Sequence, residues 1–382
     1  MTMEPFSSFQ GTKLRTRNGT QCQQKGKVSN MKIGIPREVK ILEGRIALIP
    51  DAAGHLVRQG HTVNIEHDAG RLSGYTDEDY RQVGVEIQPD AASLYQAAQM
   101  IVKVKEPQPQ EFGYLREDHL LFSYLHLAAE PALTEALLKI GLTGVAFETV
   151  EAGGQLPLLA PMSDIAGRIA AQIGTHLLYQ PQGGRGVLLG GLPAAERGNV
   201  VILGAGVAGG NAALMAAAMG ANVTVFDRNR DKLADMRALG ANVTGLYGFE
   251  SAIHEAVIQA DLLIGAVLIP GAKAPHLVSA ETVREMRDGS VIIDISVDQG
   301  GCIETTRPTN YENPTFVWEG VVHFGVTNMP GAVPRTASQA LSAALVPYIL
   351  RLTESNWREQ PDLRTGINVE AGKRVLKTLL DN

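Results

Sequence analysis

The chain of 382 residues is long enough for about two domains, and its composition, 45% hydrophobic and 19% charged, is that of an ordinary globular protein. Its net charge of −6 argues against a general nucleic-acid or membrane surface, and no apolar run reaches the ~18 residues of a membrane span. The two cysteines, Cys22 and Cys302, form neither a disulfide framework nor a metal knuckle, so the sequence predicts no metal site and fits a reducing, cytoplasmic compartment.

Residues 1–30 differ from the rest of the chain because they are polar and basic and show no apolar periodicity. They carry five basic residues and one acidic residue, and they lack the apolar segment of a secretory signal. We expect a disordered N-terminal extension here. The alternatives are a targeting peptide and an upstream start, with Met31 as the functional beginning.

Strands and helices alternate in the first half of the chain. Apolar runs predict strands at 32–35, 62–66, 100–104, 120–125 and 142–147, and helical spacing predicts helices at 51–59 and 131–139. This alternation is typical of an α/β domain with mostly parallel strands.

The second half continues the alternation after a change of domain near residue 157. It predicts strands at 200–203, 222–226, 262–264, 291–295 and 321–326, and helices at 164–179, 210–220 and 337–352. Ser163 and Thr336 are suited to cap the first and the last of these helices. We expect the last helix to return the chain to the first domain and the tail, 365–382, to end in another amphipathic helix.

These elements predict an α/β fold with two domains. A Rossmann NAD-binding domain covers 158–334, and an α/β substrate domain covers 31–157 and 335–382.

A glycine-rich turn is the strongest motif in the sequence. The apolar run 200–203 leads directly into G-x-G-x-x-G, formed by Gly204, Gly206 and Gly209, and a helix and a second apolar strand follow. Gly204 permits the tight turn, Gly206 lets the backbone approach a pyrophosphate, and Gly209 lets the helix pack closely on the strand. The helix N-terminus then offers N–H groups to the phosphates. The alternative is a glycine-rich turn without a ligand.

Asp227 ends the second strand of this unit, 18 residues after Gly209. A carboxylate in this place can hold both ribose hydroxyls and would repel a 2′-phosphate, so NAD is favoured over NADP. The neighbouring Arg228 weakens that preference.

Polar residues follow several of the predicted strands, where open α/β sheets bind ligands. They are Lys105, His126, Asp298 and Asn328, and Arg45 stands between apolar neighbours. Cations can hold a substrate carboxylate, and a histidine can move a proton near neutral pH. A carboxylate can orient water or stabilise a developing ammonium.

Alternatives stay open for each of these residues. Lys103 lies two positions before Lys105 on the same face of the strand, and Asp294 competes with Asp298, which could simply cap a turn. For His126 we expect catalysis, because a polar ring directly after a buried strand is otherwise costly. We expect the other eight histidines to lie at the surface or to be structural.

Taken together, the motifs resemble those of the alanine dehydrogenase and pyridine nucleotide transhydrogenase family from residue 31 to about residue 352. The matching segments are MKIGIPREVK with GRIALIP (31–50), KVKEP (103–107), HLAA (126–129), LAPMSDIAGR (159–168), QGGRGVLLGG (182–191), GAGVAG (204–209), GAVLIPGAKAP (265–275), DISVDQGGCIE (294–304) and TNMPGAVPRTAS (327–338).

The resemblance implies a reversible oxidative deamination of L-alanine with NAD and water, giving pyruvate, ammonia and NADH, in a cleft between two domains. It implies that Arg45 and Lys105 bind the substrate carboxylate. His126 would be the acid–base group, and Asp298 would help water or ammonia to add. It also implies a homo-oligomer, commonly a hexamer, and a cofactor site lined by Ser163, Gly204, Gly206, Val207, Ala208, Gly209, Asp227, Lys232, Val267, Leu268, Ile295, Ser296, Val297, Asp298, Arg307, Val326, Thr327, Asn328 and Met329.

Two features depart from the family pattern. The extension before Met31 has no counterpart in it, and the region 247–249 lacks the serine often found beside the adenosine. The competing functions are the NAD-binding subunit of a transhydrogenase-like system, a catalytically idle dinucleotide-binding scaffold, and a dehydrogenase of another small amino acid. The family's substrate-binding and acid–base residues, all present here, argue against the first two.

Overall fold

The computed structural model describes residues 30–267 and 274–376, which hold fifteen strands in two sheets and eleven α-helices. The strands are β1 (Lys32–Ile35), β2 (Thr62–Glu66), β3 (Glu86–Gln88), β4 (Met100–Val102), β5 (Leu120–Ser123), β6 (Thr143–Ala146), β7 (Asn199–Leu203), β8 (Asn222–Asp227), β9 (Val243–Tyr247), β10 (Leu262–Gly265), β11 (Val291–Asp294), β12 (Thr315–Trp318), β13 (Val321–Phe324), β14 (Ile367–Glu370) and β15 (Lys373–Arg374). The helices are α1 (Pro50–Arg58), α2 (Asp77–Arg81), α3 (Ala91–Ala97), α4 (Pro131–Ile140), α5 (Ala160–Leu177), α6 (Val207–Ala218), α7 (Arg230–Arg237), α8 (Glu250–Val257), α9 (Ala280–Arg284), α10 (Pro334–Leu352) and α11 (Pro361–Gly366).

The first sheet has the strand order β3-β2-β1-β4-β5-β6-β14-β15. Its first six strands are parallel, and β14 and β15 add an antiparallel hairpin at the β6 edge. The central strands β4 and β5 are short runs of buried residues, as expected where both faces of a parallel sheet are covered. The strand order reverses between β1 and β4, so a crevice for ligands is expected beyond the carboxyl ends of these two strands.

The second sheet repeats this topology, with the order β9-β8-β7-β10-β11-β13 and an antiparallel edge strand, β12. All other pairs in it are parallel, and the order reverses between β7 and β10. This is the order of dinucleotide-binding folds. The predicted α/β fold with two domains is confirmed.

Two helices tie the sheets together. Helix α5 packs on α6 so closely that a Cβ on Gly167 would lie 2.0 Å from the carbonyl oxygen of Ala208. Helix α10 follows the second sheet, and in it the Ser338 and Ser342 hydroxyls each accept a 2.9 Å hydrogen bond, from the N–H of Ile46 and of Ile49 in the first domain. Strand β14 then joins the first sheet. The exact domain boundaries stay a prediction.

Two helices begin ahead of the residues that were predicted to cap them. Ser163 lies inside α5 rather than capping it, and α10 begins at Pro334 rather than after Thr336. Each helix has a proline in its first turn. Proline is favoured there because its missing N–H would be unpaired in any case, so the helix can start ahead of the serine or threonine.

The prediction of a helix in the tail is wrong for the residues the structure describes. The alternating Ile367 and Val369 lie in β14, where they are buried beside β6 and β15. Residues 1–29, with the predicted extension, and 377–382 lie outside the described residues.

Several strands end sooner than predicted. Strand β4 ends at Val102 and β5 at Ser123, so Lys105 and His126 each stand three residues beyond a strand. Short elements such as α2, α3 and β9 were missed because they are too brief to show a period. Among the helices of the described residues, none is both long and apolar enough to cross a membrane.

Candidate active site

Charged side chains gather beyond the carboxyl ends of the first sheet. Glu38 follows β1, Lys105 follows β4, His126 follows β5 and Glu148 follows β6. The loops after β1 and β4 are joined across the crevice, because the N–H groups of Val104 and Lys105 donate to the Glu38 carboxylate at 2.5 and 3.3 Å. The topological switch point of the sheet therefore carries the charged groups predicted for substrate binding.

Arg45 reaches from the loop between β1 and α1 to the second domain. Its Nε and Nη2 donate to the two oxygens of the Glu43 carboxylate at 2.7 and 2.5 Å. Nη2 also donates to Oδ1 of Asn328 at 2.6 Å, and Nη1 lies 3.2 Å from Sδ of Met162. Burial opposes charge here, yet the hydrogen bonds with Arg45 lower the pKa of Glu43, and Glu43 in turn raises the pKa of Arg45. Both groups are charged.

The two candidate lysines have different surroundings. Lys103 is buried, with Nζ 2.7 Å from both oxygens of Glu111, and therefore serves as a structural ion pair. Lys105 retains some exposure, 13% of its side chain, and Nζ lies 3.5 Å from Oε2 of Glu106. Burial alone would raise the pKa of Glu106, but Lys105 and Lys40 bring the pKa down to about 2. These contacts leave Lys105, rather than Lys103, open to a ligand.

His126 is held in an uncommon backbone conformation. Its φ is +48°, in the left-handed region that residues other than glycine rarely adopt. Its N–H donates to Oε1 of Glu148 at 2.6 Å, and the ring stacks on Tyr124 with 5.9 Å between centroids. The side chain is 41% exposed, so the expectation of a costly buried ring was wrong. The strained backbone at His126, rather than burial of its ring, is the structural indication of function.

The glycine turn forms a cradle at the carboxyl end of β7. Gly204 has φ +99°, and a Cβ on it would lie 2.6 Å from the carbonyl oxygen of Ala266. A Cβ on Gly209 would lie only 1.8 Å from the carbonyl oxygen of Gly204. Gly206, the N-cap of α6, faces open space as far as residues 30–267 and 274–376 are concerned, since none of their atoms lies within 4 Å of its Cβ position. Tight packing behind the turn and free space in front of it fit a pyrophosphate group.

Asp227 lies beside this cradle as the last residue of β8. Its Oδ2 accepts the N–H of Ala205 at 2.7 Å, and its Oδ1 accepts the N–H of Asn229 at 2.7 Å. The carboxylate is thereby fixed against the glycine turn, and each oxygen keeps a lone pair for a ribose hydroxyl. Arg228 and Lys232 are exposed.

The two candidate acids at the end of β11 and after it, Asp294 and Asp298, differ in burial and in hydrogen bonding. Asp294 is buried, and the N–H groups of Ser296, Cys302 and Ile303 donate to its carboxylate at 2.9, 2.9 and 3.3 Å. Burial raises the pKa of Asp294 in spite of these hydrogen bonds. Asp294 therefore organises the loop, whereas Asp298 is exposed in the turn Ile295–Gln299.

Most of the other residues predicted for the cofactor site follow strands of the second sheet. Val267 follows β10, and its carbonyl oxygen accepts the hydroxyl of Ser296 at 2.8 Å. Residues 326–329 follow β13, and Ser163 lies near the start of α5. Arg307 stacks instead over the Phe316 ring, 4.5 Å from its centroid. Leu268 lies outside the described residues.

Sequence reasoning missed three acids and a thioether at this site. Glu148 directly follows the predicted strand 142–147, so the rule that selected His126 could have found it. Glu38 stands three residues after β1, with Pro36 between. Glu43 and Met162 gave no signal, because their contacts with Arg45 depend on how the loops fold back.

Comparison with known proteins adds an independent observation. Two models of one family match the chain: alanine dehydrogenase/PNT, N-terminal domain, over residues 34–166, and alanine dehydrogenase/PNT, C-terminal domain, over residues 170–377. A protein named alanine dehydrogenase from Bacillus subtilis (strain 168) is 48% identical over 348 residues, which cover 90% of this chain and 92% of that protein.

Two solved structures resemble the fold. A structure of L-alanine dehydrogenase has a TM-score of 0.88 at 49% identity and covers 92% of this chain and 98% of its own. A transhydrogenase from Sinorhizobium meliloti has a TM-score of 0.80 at 24% identity, covering 90% of this chain and 100% of its own, which shows a shared fold.

Proposed function

This chain belongs to the alanine dehydrogenase/PNT family, and we propose that it catalyses the NAD-dependent, reversible oxidative deamination of L-alanine to pyruvate and ammonia. The observation that carries the proposal is the 48% identity to a protein named alanine dehydrogenase over about nine-tenths of both chains. In the forward direction L-alanine, NAD⁺ and water give pyruvate, ammonium, NADH and a proton.

The glycine cradle and Asp227 would hold the cofactor. The N–H groups at the start of α6 would face the pyrophosphate, in front of Gly206, and Asp227 would accept the ribose hydroxyls. NAD, when bound, supplies the nicotinamide ring that accepts a hydride from Cα of alanine. Residues 295–298 and 326–329 would then line the nicotinamide end of the site.

Arg45 and Lys105 would bind the substrate carboxylate. The charge of Arg45 is already balanced by Glu43, so Arg45 contributes directed N–H groups more than net charge. Lys40 and Lys105 share the single carboxylate of Glu106, so these three groups together carry one net positive charge. Lys105 would supply the long-range attraction, and Arg45 would fix the orientation.

His126 would transfer the protons of the reaction. It would take a proton from the substrate nitrogen before hydride transfer and later move protons as water adds and ammonia leaves. Its exposed ring stacks on Tyr124, and Glu148 fixes the His126 backbone, so the ring is positioned for proton transfer. Asp298 would orient the water.

The alternatives find less support. The transhydrogenase likeness is 24% identical and concerns the fold alone. An oxidoreductase of another small amino acid would use the same residues, since one methylene changes selectivity by only ~1–3 kcal/mol.

The test is NADH formation by the purified protein with L-alanine and NAD. Parallel reactions contain glycine, L-serine or L-lysine, and a further set replaces NAD by NADP. Turnover with L-alanine and NAD alone supports the proposal. NADH binding without turnover of any amino acid would favour the transhydrogenase-like or scaffold function.

We also propose a cytoplasmic homohexamer, in keeping with the family resemblance. Light scattering of the purified protein measures its mass. A monomer would contradict this part of the proposal.

A further inference from the structure

A closed set of hydrogen bonds joins the two domains at the substrate site. It consists of Glu43, Arg45 and Asn328, which we name the clasp. Glu43 and Arg45 belong to the loop after β1, and Asn328 belongs to the loop after β13, 285 positions from Glu43 in the sequence. The clasp thus joins the loop after β1, where the substrate would bind, directly to the loop after β13, which we call the cofactor loop.

Both ends of the Asn328 amide are used in the clasp. Its Oδ1 accepts a hydrogen bond from Nη2 of Arg45 at 2.6 Å, and its Nδ2 donates to Oε2 of Glu43 at 2.9 Å. The same Oε2 accepts Nη2 of Arg45 at 2.5 Å, so the three groups form a ring. The amide accepts from the cation through its oxygen and donates to the carboxylate through its nitrogen, and a carboxylate or a cation in its place could do only one of the two.

The charged pair of the clasp is shielded from water, and Asn328 is half-buried. The side chains of Arg45 and Glu43 are 2% and 0% exposed. In such surroundings charge-assisted hydrogen bonds are strong, and a carboxylate deprived of its partners is costly. Replacing one member of the clasp therefore deprives each of the other two of a hydrogen-bond partner.

One donor of Arg45 stays available for a ligand. Four of its five N–H groups point to Glu43, to Asn328 or to Sδ of Met162. Among the described residues, no acceptor meets the remaining N–H on Nη1. Through this N–H, Arg45 would bind a substrate carboxylate while it keeps its hydrogen bonds within the clasp.

Asn328 transmits the contact to the cofactor loop. Its φ of +59° places it in the left-handed region, and the next residue, Met329, is buried with its carbonyl oxygen bonded to the Tyr311 hydroxyl at 2.8 Å. The backbone around Asn328 therefore has little freedom to move independently of its side chain.

We propose that Glu43 is a positioning residue that couples occupancy of the substrate site to occupancy of the NAD site. The inference rests on the proposed function, because it takes Arg45 as the carboxylate anchor and residues 326–329 as cofactor-lining. A carboxylate on Arg45 holds the clasp closed, and the closed clasp orders the cofactor loop. L-alanine therefore tightens NADH binding, and NADH tightens L-alanine binding by the same factor.

The experiment measures this factor directly. NADH is titrated by its fluorescence with and without saturating L-alanine, a pair that cannot react because both partners are reduced. For the wild-type protein we expect L-alanine to lower the Kd of NADH at least about fivefold. In E43Q and in N328G, L-alanine should change the Kd of NADH by less than about twofold. The double variant should show the same residual change as either single variant.

N328G keeps the left-handed backbone accessible while removing the amide, so it tests the clasp even if E43Q folds poorly. E66Q is the matched control. Glu66 ends β2, is buried and pairs with Arg37 at 3.7 Å, all within the first domain. We expect E66Q to retain the wild-type coupling.

Each possible result has a distinct meaning. A wild-type protein without L-alanine turnover overturns the proposed function. A wild-type protein that turns over L-alanine but shows no coupling, or an E43Q and N328G pair that keeps it, overturns the clasp alone. Loss of thermal stability in E43Q with unchanged coupling assigns Glu43 a structural role only.

Discussion

The Glu148 carboxylate accepts the backbone N–H of His126 at 2.6 Å and that of Leu125 at 3.2 Å, while its Oε1 lies 3.9 Å from Nδ1 of His126. One side chain thus holds the strained φ of +48° at His126 and places negative charge beside its ring. The Tyr124 ring packs on the other face, and the Tyr124 hydroxyl is fixed by donation to the Leu158 carbonyl oxygen at 2.6 Å. The His126 imidazole is oriented by groups that are themselves fixed.

Replacing Glu148 should separate its two effects. E148A removes both the acceptor that holds the backbone and the charge, and we expect kcat to fall by about 10²-fold. E148Q keeps an acceptor oxygen for the N–H groups, so it should retain several times more activity than E148A. Steady-state kinetics with L-alanine and NAD measure both. Equal losses in the two variants would mean that only the charge matters.

The control for these variants is NADH affinity, because Glu148 follows β6 of the first sheet and accepts hydrogen bonds from Leu125 and His126 of the same domain. Fluorescence titration should give a Kd close to wild type for both variants. A large rise in Kd would indicate that the loop after β6 also shapes the cofactor site.

The pKa of Glu38 predicts a pH dependence of stability. Burial raises this pKa from 4.5 to about 7, against the opposing effect of Lys103. The folded chain therefore binds a proton that the unfolded chain has released, and the free energy of unfolding falls as the pH rises through that window. The contribution is on the order of 3 kcal/mol, is fully present below pH 4.5, and is lost above about pH 7.

E38Q removes this titration and keeps a neutral side chain of the same size. Relative to E38Q, the wild-type protein should lose stability between pH 5 and pH 8, by about 2 kcal/mol in urea unfolding. The exposed Glu117 gives the control E117Q, which should follow the wild-type profile. Parallel profiles for E38Q and wild type would show that Glu38 stays ionised in the folded protein.

The elements predicted correctly from the sequence are those long enough to show an apolar periodicity or those next to a distinctive turn motif. The nucleotide unit was found because β7, the glycines, α6 and Asp227 follow one another without interruption. Strand β14 was missed because its pairing with β6 joins residues more than 200 positions apart. The local sequence pattern contains no information about such a distant partner, so no strand was predicted in the tail 365–382, which was expected to end in a helix.

The candidate site was predictable only in part, for a similar reason. Residues that directly follow strands, such as Lys105 and His126, can be found because parallel strands bring their carboxyl ends together. The partners of Arg45 cannot be found in this way. Glu43 lies two positions away, yet the bidentate geometry depends on a loop that folds back, and Asn328 arrives from the other domain.

Asp227 should decide the choice between NAD and NADP. D227A removes a carboxylate that would repel a 2′-phosphate, but it also deprives the N–H groups of Ala205 and Asn229 of their acceptor. We expect kcat/KM for NAD to fall about tenfold or more and the preference for NAD over NADP to shrink. D227N retains an acceptor oxygen without the charge, so it should lose preference with a smaller loss of NAD activity. An unchanged ratio in both variants would contradict a ribose-binding role.

One added methyl group should lower the stability of the protein at one glycine of the cradle and its NADH affinity at another. In G209A the new Cβ would lie 1.8 Å from the carbonyl oxygen of Gly204, so β7 and α6 must move apart and the protein should lose about 1–3 kcal/mol of stability. In G206A the Cβ meets no atom of the described part of the chain within 4 Å, and the φ of −74° is open to alanine. G206A should therefore unfold at the wild-type temperature and yet bind NADH at least about tenfold more weakly, because the methyl group occupies the space in front of the turn that a pyrophosphate needs. Thermal unfolding and NADH titration on the same samples distinguish the two variants. Wild-type NADH affinity in G206A would place the pyrophosphate elsewhere.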